Sequence, residues 1–160
     1  MPPKLDIEKE YKILQRKYKL PSFNEIEDDF EISIIKEDLI PKKFILRMVR
    51  RKINEKLVFF IRFLEGIIHP QSPSIIAMHE SKYLVVEDRD KALEILKELM
   101  VYERKALILE VESDDKSDSE YIKEAFKGWA DTKKELLRIF SLMKDSWTKA
   151  EEIEIKEYFG

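Results

Sequence analysis

The stretch PKKFILRMVRRKINEKLVFFIRFLEGII, residues 41–68, decides the fold. Ile45, Val49, Ile53, Leu57, Phe60 and Leu64 recur every three or four residues, the repeat of a helix with one apolar face. Lys43, Arg47, Arg50, Arg51 and Asn54 gather on the opposite side. The spacing therefore predicts a helix from Pro41 to about Ile68, apolar inward and cationic outward. His69-Pro70 ends it, because a residue before proline avoids the α region.

Working outward, the same period recurs on both sides. Ile7, Tyr11, Leu14 and Tyr18 predict a first helix over 5–18, closed by Leu20-Pro21. Phe23, Ile26 and Phe30 predict a shorter one after a cap at Ser22. Ser22 and Glu25, Ser117 and Glu120, and Thr148 and Glu151 all have the spacing of a capping box, in which each side chain satisfies a backbone N–H of the first turn. Pro41 and Pro73 suit first-turn positions, with Ser72 as the cap before the second. A short helix through Ile76 and Met78 is expected, then a long one from Asp88 carrying Leu93, Leu96, Leu99, Met100 and Leu107. Two runs are open to a strand reading: 82–86, which also reads as an extended linker, and 106–111, whose pattern alternates enough for a strand. After a polar loop from Glu112 to Ser119, a last long helix to about Asp145 carries Ile122, Phe126, Trp129, Leu136, Phe140 and Met143. Trp147 joins that face if the helix persists, and Thr148 then caps a final short helix ending near Phe159. The expected fold is an all-α bundle of about five to seven helices, one domain over residues 1–160.

Composition agrees. Only Gly66, Gly128 and Gly160 are glycine, which disfavours folds that use glycine in hairpins and phosphate loops. Charged residues make up 39%, against roughly 25% in an average domain, while Asn and Gln are scarce. That combination is the thermophile pattern. There is no cysteine, so disulfides, thiolate chemistry and Cys-based zinc sites are excluded. The charged N-terminus does not read as a signal peptide. No apolar run approaches the roughly 20 residues of a membrane span. A cytoplasmic setting is the expectation, with no membrane association.

The net charge is −3, but it is unevenly spread. Between Lys42 and Arg62 eight basic residues face a single acid, Glu55. Lys43, Arg47, Arg50, Arg51 and Asn54 are the candidate nucleic-acid contacts, since clustered cations neutralise phosphates. The competing reading pairs these arginines with acids of the same chain, the segment Glu25–Glu31 being nearest in sequence. Glu65 and His69, spaced i, i+4, could share a metal with His79-Glu80, but nothing fixes the three or four ligands a stable site needs. Asp114, Asp115, Asp118 and Glu120 lack the central glycine of a calcium loop and read as a solvated loop with a helix cap. No metal or cofactor is expected.

Arg62-Phe63-Leu64-Glu65-Gly66-Ile67-Ile68-His69 sets a histidine seven residues after an arginine. This resembles the R-x4–6-H motif of the HEPN ribonucleases. The resemblance implies RNA cleavage with His69 as the acid/base and Arg62 stabilising the phosphorane, although Phe63 stands where that family usually has a polar residue. The stretch from Lys42 to Lys105, a basic helix with interleaved aromatics and then a helix opening on Glu87-Asp88, is similar to the helical domain of GINS replication subunits. That resemblance implies a non-enzymatic scaffold. The function expected is a non-enzymatic helical interaction module, with a protein partner or self-association and with nucleic acid as a further ligand of the 42–62 face. A ribonuclease using Arg62 and His69 and a protein-only scaffold are the alternatives.

Overall fold

A computed structural model of the chain describes residues 6–35, 41–69 and 74–149. Six α-helices follow one another: α1 (Ile7–Tyr18), α2 (Phe23–Phe30), α3 (Ile45–Ile68), α4 (Ile75–Tyr83), α5 (Val86–Val111) and α6 (Asp115–Lys149). Short 3-10 turns at Ile32–Ile34 and Lys42–Phe44 complete the described elements. The all-α expectation holds, and there is no strand among the described residues. The run at 106–111 is the last part of α5, and 82–86 holds the end of α4, a two-residue extended link at Leu84 and Val85, and the start of α5.

Local chemistry explains most helix ends. Glu25 N donates to Ser22 Oγ at 3.3 Å while Ser22 N donates to Glu25 Oε2 at 2.9 Å, so the first capping box forms. The second does not. Asp114 takes that role, accepting from Ser117 N at 2.8 Å, and Ser117 falls inside the first turn of α6. Thr148 lies within α6 and donates to Lys144 O. Ser72, Pro73, Glu151 and the helix expected near Phe159 lie outside the described residues. Ser74 caps α4 by accepting from Ala77 N. α3 starts at Ile45, after the turn that follows Pro41.

α3 is the centre of the bundle. It packs on α5 and α6, and α1, α2 and α4 also touch it. Ile45, Leu46, Val49, Ile53, Leu57, Ile61, Leu64 and Ile67 are all buried along it. Removing one such side chain to alanine leaves a cavity that costs about 2–5 kcal/mol. Next to this stripe lies an aromatic cluster. The Trp129 ring sits 5.5 Å from Phe60 and 5.7 Å from Phe30, and Phe60 lies 5.9 Å from Phe140. The Lys56 ammonium stands 5.4 Å from the Trp129 ring. These contacts tie α2, α3 and α6 together beyond their simple burial of apolar area.

Candidate functional site

The cationic residues of α3 lead inward. Arg50 is 0% exposed and is the largest fully buried side chain among the described residues. The sequence pattern points it to solvent; the fold turns it to the corner between α5 and α6. Its Nε donates to Asp118 Oδ1 at 2.6 Å, and its Nη1 donates to Glu110 Oε1 at 2.8 Å and Ala106 O at 3.2 Å. Nη2 reaches Leu109 O at 3.5 Å. The guanidinium thus sits where the last turn of α5 presents a carbonyl and the first turn of α6 presents a carboxylate. A cation is favoured at a helix C-terminus and an anion at an N-terminus, so both helix dipoles agree with the pair.

The neighbours extend this clamp. Arg51 forks onto Glu110, with Nε to Oε1 at 3.0 Å and Nη2 to Oε2 at 2.6 Å. Such a two-point pair is the strong form of the interaction. The Arg51 bond, with help from Arg50, holds the Glu110 carboxyl down to about 2. Burial pushes the Asp118 carboxyl up from its ordinary value, and the bond from Arg50 opposes that push. Arg47 donates from Nε to Ser113 Oγ at 3.0 Å and stacks its guanidinium over Phe44. Asn54 Oδ1 accepts from the Tyr121 hydroxyl at 3.4 Å, and burial raises that phenol. Lys43 stays exposed, with its ammonium 4.7 Å from the Phe44 ring.

The structure therefore brings Arg47, Arg50, Arg51 and Asn54 together, on the α5–α6 corner. The segment Glu25–Glu31 is not their partner. Glu25 closes its capping box, Glu27 accepts from Ser33, and Asp29 pairs with Lys133 and, through its carbonyl, with Lys56. Asp118 is the residue that sequence reasoning missed. The sequence places it in a solvated loop with a helix cap, but it is 2% exposed, and its partner lies 68 positions away.

The second half of α3 is different. Arg62 and His69 are both exposed and border one open groove of about 560 Å3 between α3 and α4, together with Phe63, Gly66, Ile76 and Glu80. Arg62 and His69 are seven positions apart, a rise of about 10 Å along the helix axis. Among the described residues neither Arg62 nor Glu65 makes an ion pair. His79 is turned away from His69. It is buried, with its ring 4.2 Å from Trp147 and Nε2 3.3 Å from Ser146 O. Glu80 accepts from Trp147 Nε1 at 2.7 Å. Among the described residues no three acidic or histidine side chains form a metal-ligating group, and no helix is long and apolar enough to cross a membrane.

The large apolar side chains here are conspicuous by exposure. Phe59 is 63% exposed and Phe63 42%. They are one turn apart on α3 and flank two depressions. Phe59 borders a smaller one with Ile34, and Phe63 borders the larger one with Ile76. Ile34 and Ile76 are also more than half exposed. Comparisons with family models, with curated proteins and with solved structures give no match.

Proposed function

We propose that this chain is a non-enzymatic helical interaction module that binds protein through the outer side of the second half of α3. The observation that carries the reading is the exposed pair Phe59 and Phe63, with Ile34 and Ile76 beyond it. Exposed aromatics one turn apart, each beside a depression that a further exposed isoleucine borders, are the kind of surface that protein partners cover. A cytoplasmic setting suits a chain without cysteine.

Binding of nucleic acid through the 42–62 face is a less economical form of the same reading. Arg50 and Arg51 would have to leave Asp118 and Glu110 before meeting phosphate, and a buried carboxylate would be left unpaired. The protein-binding reading needs no such exchange. A second reading, RNA cleavage by Arg62 and His69, is favoured by one fact: both residues border the same open groove.

Two measurements test these readings. A complex isolated with this chain should survive nuclease and high salt, persist with Arg47→Glu, and be lost with Phe59→Asp plus Phe63→Asp. A complex lost on nuclease treatment instead would return the nucleic-acid form. Incubation with single-stranded RNA should leave it intact; cleavage by the parent that disappears in His69→Ala would establish the enzyme.

A further inference from the structure

On the outer side of α3, Glu55, Phe59, Arg62, Gly66 and His69 are all exposed. Their spacing is four, three, four, three. That alternation sets them in one line along the helix, on which a second helix can lie side by side. Among the described residues none makes an ion pair with Arg62 on it or Glu65 beside it. A Cβ added at Gly66 would meet no atom within 4 Å, so this line has an open notch about two turns from the exposed ring of Phe59.

The charges on this side are self-complementary. Arg62 and Glu65 make no ion pair among the described residues. If two copies of α3 lie antiparallel about a twofold axis near Phe63, Arg62 of each faces Glu65 of the other. The same axis sets Phe59 of each copy over Gly66 of the other. The midpoints of the two residue pairs differ by one position, a shift of about 1.5 Å along the helix. A parallel arrangement would instead oppose Arg62 to Arg62 and Glu65 to Glu65, which like-charge repulsion disfavours. Twofold pairing requires a patch that fits itself, and this one satisfies the requirement in both shape and charge.

From this we infer that the partner on the Phe59–Phe63 surface is a second copy of this chain, docked through antiparallel pairing of the two α3 helices. The inference rests on the protein-binding reading of that surface and names its occupant. The Arg50 clamp lies in the other half of α3 and takes no part in it.

The test is the oligomeric state of the full chain, measured by sedimentation equilibrium across concentrations, with helicity followed by circular dichroism. The parent should be a dimer. Phe59→Asp plus Phe63→Asp should be monomeric with unchanged helicity. Arg62→Glu should weaken the dimer by about tenfold or more, equivalent to at least about 1.4 kcal/mol. Adding Glu65→Arg to Arg62→Glu should restore most of that loss, because the swapped pair again has opposite signs. A parent that stays monomeric up to about 1 mM, a concentration at which only an association weaker than about 4 kcal/mol escapes notice, overturns the second copy. A dimer indifferent to all four substitutions overturns this surface as its interface. If the parent is monomeric yet a different protein is bound and lost with the Phe59 and Phe63 substitutions, the self-pairing fails while the protein-binding reading stands.

Discussion

The two halves of α3 use the same kinds of residue for opposite ends. In the first half, Arg47, Arg50 and Arg51 turn their guanidinium groups to Ser113, Asp118 and Glu110 and join α3 to the α5–α6 corner. In the second half, Arg62 meets no carboxylate among the described residues and stands beside two exposed phenylalanines. One helix is therefore a structural post at its start and a free surface toward its end. The difference is in what lies opposite. The end of α5 and the beginning of α6 close over the first half, whereas the second half borders open depressions toward α2 and α4.

Arg50→Ala is the sharpest way to break this contrast. It leaves Asp118, 2% exposed, without its partner, and loss of one member of a buried pair costs about 3–5 kcal/mol. Urea unfolding should show a midpoint far below that of the parent. Replacing Arg50 and Asp118 together by leucine should recover much of the loss, because no unpaired charge then stays buried.

Acid provides the next test. Glu110 has its carboxyl held down to about 2 against an ordinary 4.5. A group lowered in the folded state adds stability above its unfolded pKa and loses it as the pH falls through the folded value. Stability should thus decline between about pH 4.5 and pH 2, and Glu110→Gln should flatten that part of the curve. Asp118, pushed up by burial, acts in the opposite sense, but its contribution is present in both proteins and drops out of the comparison to first order.

Smaller effects belong to the second half. Gly66→Ala should raise the stability of the dilute monomer by about 0.5–1 kcal/mol, since alanine is the better helix residue and the site is open. Arg62→Ala under the same conditions should change it by less than about 0.5 kcal/mol, the usual range for a surface position without partners. A loss as large as that of Arg50→Ala would erase the distinction between the halves.

How far the sequence foretells this arrangement depends on the range of the interaction. The α3 stripe and the Ser22 capping box are local, set by residues three or four apart, and both are present. The strand-like run at 106–111 misleads for a physical reason. Ala106 is buried, but Leu107, Ile108 and Val111 are exposed, Val111 by 90%. The end of α5 thus carries apolar residues around more than one face and blurs its helical period. The extended-looking run at 82–86 likewise has Leu84 buried between exposed Tyr83 and Val85, a link between helices that alternates without pairing.

Arg50 depends on contacts of longer range. It lies one position from Val49 and four from Leu46, on the flank of the buried stripe, and it also lies three or four positions from Arg47 and Asn54. Its spacing from Arg47 and Asn54 assigns it to the cationic side, yet its place on the flank of the stripe lets the fold turn it inward. The decision comes from Asp118 and Glu110, about 60 positions away or more. The exposure of Phe59 and Phe63 is hidden in the same way. Both stand in the most apolar part of α3, and only the positions of α2 and α4 leave them uncovered.

The two tryptophans make α6 an optical ruler. Trp129 is 3% exposed within the aromatic cluster, and Trp147 is 36% exposed, bound to Glu80 and resting on His79. They are 18 residues apart on one continuous helix, about 27 Å at the usual rise. Emission from Trp129 is expected at shorter wavelength than that from Trp147, and Trp147→Phe separates the two signals. Fraying at the α4 end then registers as a red shift of Trp147 alone, while loss of the α2–α3–α6 core registers at Trp129. A single fluorescence titration therefore distinguishes unravelling of one end from collapse of the whole bundle.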